Sequence, residues 1–190
     1  MRYLFLFLFV MLVSCQGNET TTIETDIMNE DYDTIGKASI SEDPDGVKVE
    51  VSVEGLSPGF HGIHIHEFPQ CEAPTFETAG NHWNIDDSKH GLMHPEGNHI
   101  GDMPNLEVDS DGSATYEYVI PEATLKDGRG SMFSDGGKAL IIHDGMDDGV
   151  SQPAGDSGTR IACAIITRDT EPTKGENPGE DVEEEEEEES

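Results

Sequence analysis

Positive charge is scarce in this sequence. Ten Lys and Arg stand against 41 Asp and Glu in 190 residues, a formal net charge of −31. Such a chain is repelled by nucleic acid and by an anionic bilayer, so binding to either through bulk charge is excluded. Long apolar runs are missing too. The longest, Tyr3 to Val13, is too short for a helix that crosses a membrane. No stretch shows a helical period, which leaves strand alternation as the organising pattern. The length suits one domain with tails.

The two ends read as something other than fold. In residues 1–15, Arg2 precedes the apolar run, which has the length of a signal-peptide core. The run ends in Leu12-Val13-Ser14-Cys15, which resembles the lipobox of bacterial lipoproteins. That resemblance implies lipid on Cys15 and a protein exported to the bacterial cell envelope. A plain secretory signal or an uncleaved anchor is the alternative. Export in either form permits disulfides. Residues 16–34 are polar and acidic, and read as a disordered tether. Residues 170–190 hold Pro172, Pro178 and seven consecutive Glu, Glu183 to Glu189. They read as a self-repelling acidic tail, with weak cation scavenging as the sharper alternative. The domain is expected over residues 35–169.

That middle segment reads as all-β. Val47, Val49, Val51 and Val53 alternate with Lys48, Glu50 and Ser52, a period of two with one buried face. Asp43-Pro44-Asp45-Gly46 turns back onto Ala38 to Ser41. Leu106 to Val108 and Ala114 to Ile120 flank Asp109-Ser110-Asp111-Gly112 as a second hairpin. Ala139 to His143 and Arg160 to Thr167 are further short strands. The pattern predicts a Greek-key antiparallel β-barrel or sandwich, immunoglobulin-like in architecture. Two long loops interrupt it, Phe68 to Pro104 and Asp144 to Thr159, and loops of that length usually carry function.

All eight His fall in the middle segment. His64 and His66 lie on a strand at i and i+2, so both imidazoles share one face while Ile63 and Ile65 take the other. The first long loop adds His82, His90, His94, His99 and Asp102, and His143 ends a later strand. Neutral imidazole suits copper and zinc, and a His-rich set closed by one carboxylate suits zinc. His94 is the candidate for a mere surface residue.

Four separated motifs now carry a family resemblance. Gly59-Phe60-His61-Gly62-Ile63-His64-Ile65-His66-Glu67 is similar to the copper-binding strand of copper/zinc superoxide dismutases. Asn81-His82-Trp83-Asn84 resembles the segment with the family's metal-bridging His. Lys89-His90-Gly91 and His99-Ile100-Gly101-Asp102 resemble its zinc loop, and Gly155 to Cys163 resembles its second signature. The motifs occur in family order over roughly residues 35–167.

The resemblance implies an oxidoreductase that disproportionates superoxide, with one copper and one zinc per chain. It implies copper on His64, His66, His82 and His143, and zinc on His82, His90, His99 and Asp102. By the same carry-over, Asp147 links His64 to His90 by hydrogen bonds and His61 braces the copper strand. The resemblance further implies a disulfide between Cys71 and Cys163, an anion-guiding role for Arg160 and a proton-moving role for His82. The family pattern also sets a first barrel strand near Thr22 to Met28, where the apolar signal is poor. The Asp144–Thr159 loop, the electrostatic loop of the family, contains no Lys or Arg here, so steering would rest mostly on Arg160. The alternative functions are an envelope copper- or zinc-buffering protein, a catalytically dead interaction module, and an unrelated zinc hydrolase. Whether the chain acts as a monomer or an oligomer is left open by the sequence.

Overall fold

A computed structural model describes residues 22–169. The expected signal segment 1–15 and the expected tail 170–190 lie outside the described residues, as does the first part of the tether. Among the described residues nine strands follow one another: β1 (Thr22–Asn29), β2 (Thr34–Asp43), β3 (Gly46–Val53), β4 (Gly59–His61), β5 (Ile63–His66), β6 (Leu106–Val108), β7 (Ala114–Pro121), β8 (Lys138–His143) and β9 (Arg160–Ile166). Only two short 3-10 turns, Glu77–Ala79 and Ser134–Gly136, interrupt them among the described residues. The fold is all-β, as the alternation predicts.

The main sheet has the order β5-β8-β9-β1-β2-β3-β7, and β4 pairs with β6 in a small second sheet. All pairings between these strands are antiparallel. The sheet curls into a half-barrel whose concave side holds the core. Val47, Val49, Val51 and Val53 are buried there beside Ile40, Ile120, Leu140 and Ile142. Each such side chain contributes roughly 1.5–3 kcal/mol relative to an exposed one. The predicted turn at Pro44-Asp45 joins β2 to β3 in the register Asp43↔Gly46, and the Asp45 N–H donates to Asp43 Oδ1 at 3.0 Å.

The tether expected over residues 16–34 gives way to regular structure from Thr22 onward. Thr22–Asn29 is a regular strand, so the domain begins well before residue 35. Its inner face is Ile23, Thr25 and Ile27, all buried, between outward Glu24 and Asp26. The outward acids gave the segment the composition of a disordered linker. What orders it is the ladder to β2, from Thr22↔Ser41 to Met28↔Thr34, and the pairing of Met28 and Asn29 with β9. The family-based expectation of a strand near Thr22 to Met28 fits this structure.

Candidate metal centre

The alternation of β5 dictates the start of the site. Ile63 and Ile65 enter the core, which turns His64 and His66 to the opposite face, where both are also buried. One edge of β5 pairs with β8, whose last residue is His143. The long loop completes the other edge by backbone contacts. His66 forms an isolated bridge with His82, and His64 with Asp102. The Ile65 N–H donates to Gly101 C=O at 2.9 Å, and the Trp83 N–H to Ile65 C=O at 2.8 Å. A Cβ on Gly101 would stand 2.3 Å from the Ile65 oxygen, so only glycine permits that approach. The sequence therefore brings His82 and Asp102 to β5 through main-chain hydrogen bonding.

Two groups of candidate ligands result. His64, His66, His82 and His143 form one, and His82, His90, His99 and Asp102 form the other; within each, the ligand atoms lie within 4.8 Å of one another. The structure thus brings together all seven residues expected to hold metal, with His82 common to both groups. His94 belongs to neither group and instead accepts the Glu96 N–H on Nδ1.

Hydrogen bonds to the far side of each ring decide which nitrogen is free. His64 Nε2 donates to Asp147 Oδ2 at 2.8 Å, leaving Nδ1 without a partner. His66 Nδ1 donates to Gly80 C=O at 3.0 Å, and Nε2 is left. His143 Nδ1 faces Gly158 C=O at 3.3 Å, again leaving Nε2. His82 directs Nδ1 at Asp102 Oδ1, 2.8 Å away, and leaves Nε2. An unpaired buried polar group costs about 1–3 kcal/mol, so four converging orphan nitrogens fit a metal that would take their lone pairs.

Electrostatics agree. Burial, followed by the neighbouring His82, pushes His66 well below the usual imidazole value. Burial brings His82 down to about 4 despite Asp102. Burial and the adjacent His64 bring His143 down to about 3. These rings are neutral at physiological pH, the form that binds metal.

In the second group Asp102 Oδ1 lies 2.8 Å from His82 Nδ1, 3.0 Å from His90 Nδ1 and 3.3 Å from His99 Nδ1. Its Oδ2 accepts the Gly91 and His99 N–H groups at 2.8 and 3.0 Å, which aims Oδ1 at the three rings. Burial opposes ionisation of Asp102, but bonds from His82, His90 and Gly91 hold its carboxyl far below the usual range. His90 also presents Nε2 to Asp147 Oδ1 at 3.1 Å. Burial lowers the His90 value, yet Asp102 and Asp147 together raise it to about 9.

The expected supporting residues surround the two groups. Asp147 spans His64 and His90. His61 lies 2.7 Å from His143 C=O through Nδ1 and 2.8 Å from Ser57 C=O through Nε2, tying β4 to the end of β8. Cys71 and Cys163 are joined by a disulfide, Cα atoms 5.8 Å apart. Half-buried Arg160 donates to Phe76 C=O at 2.6 Å and to Gly80 C=O at 2.7 Å. It lines a cavity of about 530 Å³ together with His66, His82 and His143. Three further residues escape the sequence reading. Asn105 grips the backbone of Asp147, and Gln152 that of His90. Lys138 is buried beneath Trp83, its Nζ bonded to Ser134 and to Gly137 C=O.

Comparison with known proteins places this geometry. A family model described as copper/zinc superoxide dismutase (SODC) matches residues 34–166. A superoxide dismutase [Cu-Zn] 2 of Aquifex aeolicus is 41% identical over 159 residues, covering 83% of this chain and 93% of that protein. A solved SOD-like protein from Bacillus subtilis superposes with a TM-score of 0.73 at 36% identity, over 75% of this chain and 97% of that one. The Cu/Zn superoxide dismutase from Brucella abortus gives 0.65 at 29% identity, over 77% and 99%.

Proposed function

This chain belongs to the copper/zinc superoxide dismutase family, and from that premise we propose which residues hold its metals and how the others serve them. Its activity is superoxide dismutation: two superoxide ions and two protons become oxygen and hydrogen peroxide. The copper set is His64 through Nδ1 and His66, His82 and His143 through Nε2. The zinc set is Nδ1 of His82, His90 and His99 with Asp102 Oδ1, one ion in each set. One observation carries this assignment: four buried nitrogens converge without a protein partner, and His82 offers its other nitrogen to the Asp102 group.

Bound copper supplies one-electron redox chemistry on superoxide, while zinc, which does not cycle, supplies charge that fixes and polarises His82. The chain does the rest. His82 lines the mouth cavity, so when its Nε2 is not engaged by metal that nitrogen can hold a proton and pass it to departing peroxide. Asp147 and the Gly80 and Gly158 carbonyls hold the His64, His66 and His143 rings in one tautomer. Arg160 keeps a permanent positive charge beside these rings, in a domain otherwise rich in acid.

Reconstituted residues 22–169 are expected to bind one copper and one zinc and to turn over superoxide rapidly. Refusal of copper even in excess sinks the assignment, and both metals bound without turnover would mark a metal buffer instead. Arg160→Ala is expected to lower kcat/KM about tenfold with metal content unchanged. An attraction of about 1–1.5 kcal/mol at a solvent-reached mouth converts to that factor. Arg160→Lys should be milder and Arg160→Glu worse than Ala. If Lys and Glu behave alike and the losses track metal, Arg160 serves only as the brace between Phe76 and Gly80.

Residues 1–15 support a further part of the proposal: export, and a lipid anchor on Cys15 at the bacterial cell envelope. The support is positional, since Cys15 stands where the apolar run stops and a polar segment starts. No helix among the described residues is long and apolar enough to cross a membrane. Cys15→Ser is expected to shift the protein from the membrane fraction to the soluble one or to leave it unprocessed. Unchanged fractionation with unchanged mass refutes the anchor.

A further inference from the structure

The loop between Asp144 and Thr159 carries the far wall of the copper mouth, since Pro153 and Ala154 line the cavity beside His143 and Arg160. Its own apolar anchors are weak: Met146 is 55% exposed and Val150 44%. Polar grips hold it instead. Near its start, the Asp147 N–H donates to Asn105 Oδ1 and Asn105 Nδ2 donates to Asp147 C=O, both at 2.8 Å. Near its middle, the His90 N–H donates to Gln152 Oε1 at 2.9 Å, and Gln152 Nε2 donates to His90 C=O at 2.9 Å and Val150 C=O at 3.0 Å. Each carboxamide thus pairs with both peptide groups of one residue, as a neighbouring strand would.

The two grips differ in what they join. Asn105 holds a carboxylate that already touches both ligand groups. Gln152 reaches 62 positions back to a zinc-set ligand and sits immediately before the mouth wall. The chains it joins run close. A Cβ on Gly91, φ +108°, would stand 2.0 Å from the Gly149 oxygen, and the Met93 N–H donates to Gly149 C=O at 3.3 Å. His90 is fully buried, so its peptide groups depend on this one side chain for their partners.

We propose that Gln152 is a positioning residue that makes the copper-mouth wall follow the placement of His90. Zinc-set geometry and access to copper then move as one unit, with Pro153 and Ala154 carried by the amide that grips the zinc ligand. Met at 152 keeps the length and volume of Gln but removes its three hydrogen bonds. Glu keeps an acceptor for the His90 N–H, yet offers nothing to the carbonyls of His90 and Val150. Ala leaves space that water can enter.

The inference rests on the metal assignment above, and the test separates the two. Cobalt(II) is loaded into metal-free wild type, Gln152→Met and Gln152→Ala, and its visible spectrum reports geometry at the zinc set. Release to a chelator and amide exchange over residues 144–159 are then followed. Gln152→Met is expected to release cobalt about tenfold faster, with an altered spectrum and about tenfold faster exchange in the loop. Exchange in β2 and β3 should not change, which shows that the fold is intact. Gln152→Ala should fall between Met and wild type. Release and spectrum within twofold of wild type in both variants overturn the inference, even where loop exchange rises, because Gln152 then only packs the loop. Wild type that takes up no cobalt overturns the metal assignment and the inference with it.

Discussion

Asp102→Ala is expected to lower zinc affinity by more than about 100-fold while leaving copper in place. Loss of a residue that merely orients a ligand costs about 10–100-fold in affinity, and in the proposed zinc set Asp102 would both supply a ligand atom and orient others. Its Oδ1 faces His82, His90 and His99, and its Oδ2 fixes the Gly91 and His99 peptides. Alanine removes both functions. In the proposed copper set only His82 loses a supporting bond, at Nδ1, because His64, His66 and His143 take theirs from Asp147, Gly80 and Gly158. Metal analysis after dialysis against a weak chelator checks this. Copper lost in step with zinc would show that the sets are not separable.

The same carboxylate sets how zinc uptake depends on pH. In the metal-free protein both His90 nitrogens face carboxylate oxygens, which raises its value to about 9. Zinc needs the neutral ring. Below pH 9 each ion therefore displaces about one proton from His90, and affinity should rise roughly tenfold per pH unit up to that point. His82, lowered to about 4, is already neutral and adds no proton of its own above pH 5. In Asp102→Ala, His90 keeps only Asp147 as a partner, so proton release per zinc should shrink. Dye-monitored titration in weak buffer reads this directly, and identical release in both proteins would refute the role given to Asp102.

The parts of the fold that can be read in advance are those with a local pattern. Valines alternating in β3 and Ile63/Ile65 against His64/His66 in β5 announce one buried face each. The ligand types announce themselves because few other roles bring seven such residues together. β1 hides because Thr25 occupies the middle of its inner face and Glu24 and Asp26 dominate its composition; pairing with β2, the next strand, and with β9, distant in sequence, orders it. Asn105 and Gln152 hide for a similar reason. An amide that grips a peptide 42 or 62 positions away leaves no spacing signature. Arg160 is legible as a charge, whereas its bonds to Phe76 and Gly80 depend on how the Cys71 loop folds over β9.

The disulfide fastens that loop to β9. The double variant Cys71→Ala/Cys163→Ala is expected to lose about 4–5 kcal/mol of stability, the chain-entropy figure for a bridge spanning 92 positions. For a domain of this size the loss corresponds to a fall in Tm of about 10–20 °C. Activity should suffer before unfolding does. Cys163 lies in β9, three residues after Arg160, and Cys71 opens the loop whose Phe76 and Gly80 carbonyls hold the guanidinium. Gly80 C=O also accepts from His66 Nδ1, so one oxygen ties the Arg160 guanidinium to the His66 ring. Freed from β9, the loop should let Arg160 and His66 drift, lowering kcat/KM at temperatures where the fold is intact and copper is still bound. Calorimetry with superoxide kinetics at 20 °C decides the matter. A lowered Tm with unchanged kcat/KM would confine the disulfide to stability, and an unchanged Tm would refute the prediction outright.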